Sequence, residues 1–120
     1  MVTWTHPATL TEALEALRTE NVRIVAGGTD YMINPDVAAS TVFLRDIEAL
    51  HAVTTSATGI TIGAACTFTQ LLSDARTPAL LKDAMRDIAS PAIRNRGTLG
   101  GNIVNASPAG DTLPALYVLD

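Results

Sequence analysis

Apolar residues recur at helical spacing near the start of the chain. From Leu10 to Leu17 they stand three or four positions apart, so residues 9–19 are predicted to form an amphipathic helix. Thr9 and Glu12 have the spacing of a capping box, in which each side chain bonds the backbone amide of the other residue. Thr9 is therefore expected to begin this helix.

The same periodicity returns in the second half of the chain. Residues 68–74 and 78–88 are predicted to be helices, and the second of them carries its apolar side chains on one face. Pro91 follows, and proline disfavours the helical conformation in the residue before it. Pro91 is therefore expected to end this helical region.

Two shorter helical segments are also predicted. A brief helix over residues 29–34 should stop before Pro35, and a last helix should begin at Asp111, whose carboxylate can cap it. The apolar run at residues 116–119 stops abruptly at Asp120. This abrupt end predicts that the chain is the N-terminal part of a longer protein or one segment of a split one.

Short runs of β-branched residues predict the strands. One lies at residues 22–25, a second at 41–46, and two more flank Gly59 in the pattern of a hairpin. Residues 1–54 are interpreted as a strand–helix–strand unit, and residues 55–120 as a mixed segment that begins a second unit. The fold class predicted from this order is α+β.

Composition restricts the kinds of partner and site. The chain has 120 residues, 48% of them hydrophobic and 17% charged, which is typical of a globular protein with a packed core. Its net charge of −4 argues against nucleic acid as the main partner. No signal peptide or membrane helix is recognisable, so no membrane insertion is expected and a cytoplasmic location is the default.

The few cysteine and histidine residues exclude several sites. A single cysteine, Cys66, cannot form a disulfide framework or hold an iron–sulfur cluster alone, and two isolated histidines do not indicate zinc. Cys66 stands in an apolar run and is interpreted as a small core residue. No Ser or Cys has an adjacent histidine as a base, so no catalytic residue and no metal ligand is assigned to this chain.

The first segment with candidate chemistry is "IVAGGTD", in which a strand runs directly into Gly27 and Gly28. Glycine permits φ > 0 and close approach by a ligand, and successive backbone amides can then form a nest for phosphate oxygens. Thr29 could donate to the same anion. The alternative is a plain strand-to-helix turn capped by Thr29 or Asp30. Neither the P-loop nor the Rossmann glycine motif is present.

A second glycine pair lies in "RGTLGGNIVNASPAGD". A flexible backbone is expected at residues 97–102, and Gly101 is expected to need close approach and φ > 0. Asp111 could accept hydrogen bonds from sugar hydroxyls or simply cap the last helix. Arg94 and Arg96 could face a diphosphate, although a solvated or salt-bridged pair is the favoured interpretation. Together, the two glycine pairs could enclose both phosphates of a dinucleotide.

Three segments carry a resemblance to a known family: "IVAGGTDYMI", "TIGAACTFTQL" and "IASPAIRNRGTLGGNIVNASPAGDTLPALYVLD". They resemble the FAD-binding domain or subunit of molybdenum hydroxylases, the xanthine dehydrogenase and carbon monoxide dehydrogenase family. The resemblance implies an FAD-binding PCMH-type fold, similar to vanillyl-alcohol oxidase, with two subdomains of which the second is incomplete here.

The resemblance also implies the cofactor and the residues that contact it. FAD would be bound by two glycine motifs, with Asp111 as the family's acid and Ile88 at a further flavin-contacting position. By position, the first motif is Ile24, Val25, Ala26, Gly27, Gly28, Thr29, Asp30 and Tyr31, and the second is Thr98, Leu99, Gly100, Gly101 and Asn102.

The function implied by the resemblance is electron transfer within a multisubunit molybdenum enzyme. An iron–sulfur subunit would pass electrons to FAD and then to NAD or another acceptor, and a large molybdopterin-binding subunit would oxidise the substrate. Two alternatives remain open. One is a truncated or remnant domain with a structural role and no flavin, and the other is a free-standing flavin oxidase of the vanillyl-alcohol oxidase type.

Overall fold

The computed structural model describes residues 1–29, 31–88, 90–105 and 112–119. The strands within these residues are β1 (Trp4–Thr5), β2 (Val22–Val25), β3 (Ser40–Phe43), β4 (Val53–Thr55) and β5 (Ile60–Ile62). The helices are α1 (Leu10–Ala16), α2 (Phe68–Ser73), α3 (Ala79–Arg86), α4 (Pro91–Arg96), α5 (Leu99–Asn105) and α6 (Thr112–Leu119). Short 3₁₀ turns lie at Tyr31–Ile33 and Glu48–His51.

The N-terminal part is a three-stranded parallel sheet in the order β1-β3-β2. Val22 pairs with Ser40 at one end of β2, and Val25 pairs with Phe43 at the other. A small core of Ala13, Val42 and Ile47 joins α1 to this sheet. Strand β1 was not predicted, because two residues are too few to show an alternating pattern.

Helix α1 begins where the sequence predicts. The backbone amide of Glu12 donates to Thr9 Oγ1 at 3.2 Å, and the carboxylate of Glu12 accepts from the amide of Ala8 at 2.7 Å. The capping box therefore differs from the prediction in one bond. The carboxylate of Glu12 was expected to accept from the backbone amide of Thr9, but it accepts from that of Ala8. The helix ends at Ala16, before the predicted end at residue 19.

The rest of the chain is built around a second, larger core. β4 and β5 form the predicted antiparallel hairpin, in which Val53 pairs with Ile62. Buried residues of α2, α3, α5 and α6, including Leu71 and Met85, pack together with Cys66, which lies between β5 and α2. The mixed α and β content that the sequence predicts is therefore present, with one core on each side of residue 52.

Two predictions about the region that follows α3 are wrong. Pro91 does not end the helical region but occupies the first turn of α4, where a missing amide hydrogen costs nothing. Ser90 caps this helix by accepting from the amide of Ile93 at 3.3 Å. The second glycine pair lies inside α5 rather than in a flexible loop, because Thr98 and its neighbours anchor that segment to the core.

The remaining differences concern the length of elements. The predicted strand at residues 41–46 spans Ser40–Phe43, and the predicted helix at 29–34 is a 3₁₀ turn at Tyr31–Ile33. The last helix is confirmed as α6, while its proposed cap, Asp111, lies outside the described residues.

Candidate functional site

The first glycine pair lies at the carboxyl end of β2, between the two parts of the fold. Gly28 has φ +76°, a left-handed conformation in which a side chain would be strained. Among the described residues, no protein acceptor receives the backbone amides of Gly27, Gly28 and Thr29. Three successive amides are therefore available to an outside acceptor, as an anion-binding nest requires.

The backbone of the second glycine motif is arranged differently. The amide of Leu99 donates to the carbonyl of Cys66 at 3.1 Å, and that of Gly100 donates to Ala64 at 3.0 Å. Thr98 Oγ1 accepts from the amide of Gly101 at 3.0 Å. These amides are satisfied within the protein, so this motif has no row of amides to offer a phosphate.

The glycines of the second motif permit close packing instead. A β-carbon at Gly100 would lie 2.6 Å from the carbonyl oxygen of Ala64, so only glycine fits there. Gly101 does not have the φ > 0 that was expected, because the only described glycine with such a φ is Gly28. A β-carbon at Gly101 would stand 4.0 Å from the β-carbon of Ala26, next to the first motif.

The first motif contacts the end of α4, just before the second motif, although about 70 residues separate them in sequence. A β-carbon at Gly27 would overlap the carbonyl oxygen of Arg96 at the end of α4. Arg96 Nε also donates to the carbonyl of Gly27 at 3.4 Å. The structure thus brings the first glycine pair close to the start of the second motif, through backbone contact that a larger residue at position 27 would prevent.

Two cavities adjoin the first motif. The smaller, of about 30 Å³, lies between the motifs and includes Thr67, Asn95 and Thr98 in its wall. That volume holds about one water molecule. The larger is a groove of about 450 Å³ on the other side of the first motif, and it has the room for part of a ligand.

Arginine side chains line both cavities. Arg45 and Arg96 are exposed and contribute to each wall. Neither forms an ion pair with a carboxylate of the described residues. His51 Nε2 lies 2.7 Å from the carbonyl oxygen of Arg45 and fixes the backbone there. The exposure of Arg96 agrees with the solvated role favoured for it, and its Nε atom also reaches the first glycine motif.

Arg94 serves a structural purpose. Its Nη1 atom donates to the carbonyl of Ile88 at 2.9 Å and to that of Arg86 at 3.3 Å. These bonds hold α4 against the end of α3. Ile88 itself is buried in the larger core and does not line either cavity.

The other predicted site residues have diverse environments. Tyr31 Oη lies 3.4 Å from Thr41 Oγ1, which anchors the ring over the parallel sheet. Ile24 is half-exposed on β2, and Val25 is buried beside Gly28. Asn102 Oδ1 accepts a short hydrogen bond from Thr112 Oγ1. Asp30 and Asp111 lie outside the described residues.

Several residues of the groove were not foreseen. Trp4, His6, Phe43 and Arg45 line it, yet they come from separate segments and none belongs to the glycine motifs. The signal that would have suggested them is the aromatic Trp4 followed by His6, beside a strand that is too short to predict.

The described residues also lack two kinds of feature. They include no cluster of His, Cys, Asp and Glu that could hold a metal ion. No helix among residues 1–29, 31–88, 90–105 and 112–119 is long and apolar enough to cross a membrane.

Comparison with known proteins defines the class to which this chain belongs. The whole chain, residues 1–120, matches the family described as FAD binding domain in molybdopterin dehydrogenase. It is 36% identical over 123 residues to the xanthine dehydrogenase FAD-binding subunit of Escherichia coli O157:H7, which covers 94% of this chain and 42% of that protein. It is 37% identical over 128 residues to the nicotinate dehydrogenase FAD-subunit of Eubacterium barkeri, covering 95% and 42%.

Solved structures agree with this relationship. Quinoline 2-oxidoreductase from Pseudomonas putida 86 superposes with a TM-score of 0.78 at 29% identity, over 89% of this chain and 40% of that one. Carbon monoxide dehydrogenase from Hydrogenophaga pseudoflava superposes with a TM-score of 0.81 at 25% identity, over 92% and 42%.

The chain belongs to the family of FAD-binding domains of molybdopterin dehydrogenases. This family relationship identifies FAD as the cofactor of the domain. The chain spans 42% of the length of the two curated relatives named above.

Proposed function

We propose that this chain is the FAD-binding electron-transfer component of a molybdenum-containing hydroxylase or dehydrogenase. Its relatives are FAD subunits of enzymes of that kind. When bound, FAD would supply the hydride or electron transfer, and the protein would supply its position and electrostatic environment. Electrons would come from iron–sulfur clusters and leave to NAD or another acceptor.

One observation carries this proposal: the backbone amides of the first glycine pair have no acceptor among the described residues, and the pair lines the larger groove. Gly27, Gly28 and Thr29 present three backbone donors, and Arg96 stands beside them with no carboxylate partner among the described residues. A diphosphate is a strong acceptor with negative charge, so it matches both features.

The residues present fit the cofactor because they leave room where it must approach. Gly27, Gly28 and Thr29 line the groove of about 450 Å³, and their backbone amides have no acceptor among the described residues. A ligand in this groove can therefore approach the nest at close range. The first motif binds the diphosphate, while the second motif supports it from behind and contributes the side chain of Asn102.

The finer assignments belong to the same proposal. Ile24 to Tyr31 and Thr98 to Asn102 form the cofactor site, to which Asp111 adds a hydroxyl acceptor and Ile88 a flavin contact. Residues 1–54 and 55–120 form two subdomains of a PCMH-type fold, the second of them incomplete. The partners are an iron–sulfur subunit and a molybdopterin-binding large subunit in the cytoplasm.

The test is the substitution Gly27→Ala. The added methyl group must displace the carbonyl of Arg96, which separates the two glycine motifs. We expect FAD binding, measured by titration calorimetry on the full chain, to be lost. Gly59→Ala is the matched control, because nothing lies within 4 Å of a β-carbon there.

Equal FAD affinity in the Gly27→Ala and Gly59→Ala variants would contradict the diphosphate site. If the unsubstituted chain and its complex with partner subunits both lack flavin absorbance, the chain is the remnant domain with a structural role. Thermal unfolding of each variant separates loss of binding from loss of folding.

A further inference from the structure

The groove beside the first glycine pair extends well beyond the proposed diphosphate site. It starts at Gly27 and Gly28 and continues over the carboxyl ends of β1 and β3. Its volume of about 450 Å³ exceeds what a diphosphate alone would occupy. A part of the ligand other than its phosphates is therefore expected in the remaining space.

Aromatic rings form the far end of this groove. The imidazole of His6 stacks on Phe43 with ring centroids 4.5 Å apart and planes within 4° of each other. The indole of Trp4 is tilted against the same Phe43 at 5.7 Å. Strand pairing causes this arrangement, since β1 and β3 are neighbours and their side chains alternate between faces.

The aromatic shelf, which consists of Trp4, His6 and Phe43, lines the groove. Trp4 is 60% exposed and lies beside the ring of Phe43. Exposed apolar surface next to polar groups commonly marks a ligand site. The indole therefore presents a flat apolar face to whatever enters the groove.

The charges around the shelf favour a ligand that is negatively charged at one end. Arg45 and Arg96 line the groove, and no carboxylate belongs to its described wall. The whole chain has a net charge of −4, so this concentration of positive charge is local. A flat ring joined to a diphosphate matches this groove, because the ring is uncharged like the aromatic shelf and the diphosphate is negatively charged, opposite to the arginines.

We propose that the aromatic shelf binds the adenine ring of the dinucleotide, with Trp4 as the stacking residue and Arg45 beside the phosphate end. This assignment rests on the proposed function. The adenosine half is the inert half of FAD, and contacts to non-reacting parts supply binding energy without taking part in the chemistry. An open, water-accessible shelf suits that half better than the ring that reacts, which is best shielded from water.

The test measures the binding of each half separately, with ADP and FMN as the probes in titration calorimetry on the full chain. We expect Trp4→Ala to weaken ADP binding about tenfold to a hundredfold, the range found for a lost base–aromatic stack, and to leave FMN binding unchanged. Trp4→Phe retains a ring and should recover most of the affinity. Tyr117→Ala removes a ring that is 79% exposed on α6 and serves as the control.

The outcomes separate this inference from the proposal on which it rests. If the chain binds FAD and Trp4→Ala leaves ADP binding unchanged, the shelf does not bind adenine. If Trp4→Ala weakens FMN instead, the shelf binds the flavin ring and the assignment is overturned. If neither FAD nor ADP binds the unsubstituted chain, the proposed function is contradicted, and the inference that rests on it is contradicted as well.

Because Trp4 is the only tryptophan of the chain, its fluorescence gives an independent readout. ADP absorbs neither the excitation nor the emission light of tryptophan at useful wavelengths, so a saturable change on adding ADP reports contact with the indole. The change should be absent in Gly27→Ala, where the diphosphate site is displaced. A saturable change that persists in that variant with unaltered affinity would contradict the shared site.

Discussion

Single residues decide which groups would face the ligand in the proposed site. Asn102 is an example, because the hydroxyl of the buried Thr112 occupies its side-chain oxygen. The amide nitrogen of Asn102 is then the group that remains to donate. A hydrogen-bond donor beside a diphosphate stabilises it, whereas an acceptor would repel it. The bond from Thr112 therefore makes the interaction between the Asn102 side chain and the proposed diphosphate favourable.

This argument predicts the effect of Asn102→Asp. The aspartate still accepts from Thr112 but presents a second oxygen, with negative charge, in place of the amide donor. We expect FAD affinity to fall by more than in Asn102→Ala, which should lose about 1.5–3 kcal/mol, the value of a hydrogen bond to a charged group. Titration calorimetry checks the order, and an aspartate variant that binds as well as wild type would contradict it.

Glycine residues show a similar division of roles. The sequence predicted that Gly101 needs φ > 0, but that conformation belongs to Gly28, since Gly101 lies within a helix. Position within an element, rather than residue type, determines what each glycine does.

Cys66 is fully buried, as predicted, and burial raises the pKa of its thiol. Its Sγ atom donates to the carbonyl of His51 at 3.3 Å.

Connections between elements depend on a few charged side chains. Arg76 follows α2 and donates from Nη1 to the carbonyl of Val53 at 2.5 Å, joining the helical part to β4. The carboxylate of Asp74 accepts from both Nε and Nη2 of Arg76 and holds the guanidinium in place. These bonds lower the pKa of Asp74 from its usual 3.8 to about 2.

The lowered pKa of Asp74 predicts a pH dependence of stability. A carboxyl whose pKa is lower in the folded than in the unfolded state stabilises the fold above its unfolded pKa, and this stabilisation is lost as the pH falls through the folded value. We expect Asp74→Asn to unfold at a lower temperature than wild type at pH 7. The difference should shrink between pH 4 and pH 2, the window set by the two values.

A matched control for this pair is available on α3. Asp83 and Arg86 form an exposed ion pair three residues apart, and exposed pairs contribute little to stability. Asp83→Asn should therefore leave the midpoint of thermal unfolding nearly unchanged at both pH values. A pH-independent difference between wild type and Asp74→Asn would show that the Asp74 charge is not the cause.

The described residues form two cores, and the proposed cofactor site lies where they meet. The smaller core lies between α1 and the parallel sheet, and the larger core joins the hairpin to the helices. Gly27 touches Arg96 across this boundary. Stability of the larger core therefore determines whether the second glycine motif is held in position behind the first.

Equal substitutions at a buried and an exposed position test the assignment of the larger core. Leu71 is fully buried in the larger core, and Leu71→Ala should lower the free energy of unfolding by about 2–5 kcal/mol. Leu14 is 65% exposed on α1, so Leu14→Ala should change it by about 0.5 kcal/mol or less. Urea unfolding followed by circular dichroism measures both, and similar losses for the two variants would contradict the assignment of the core.

The sequence by itself determined the local features. The spacing of apolar residues located α1, α3 and the hairpin, Thr9 predicted a helix start, and the two glycine pairs marked the candidate site. Each of these signals depends on a few neighbouring residues, so it can be recognised in one short segment of the sequence. The resemblance to a family also depends on such segments, and the comparisons confirmed it.

Only the tertiary structure decided which distant groups meet. Contact between Gly27 and Arg96, the free amides of the first motif and the satisfied amides of the second depend on packing between segments that are far apart in sequence. The aromatic shelf depends on the pairing of β1 with β3, and a two-residue strand carries no pattern of its own. Local propensity cannot specify such contacts, because their energy comes from long-range burial and hydrogen bonding.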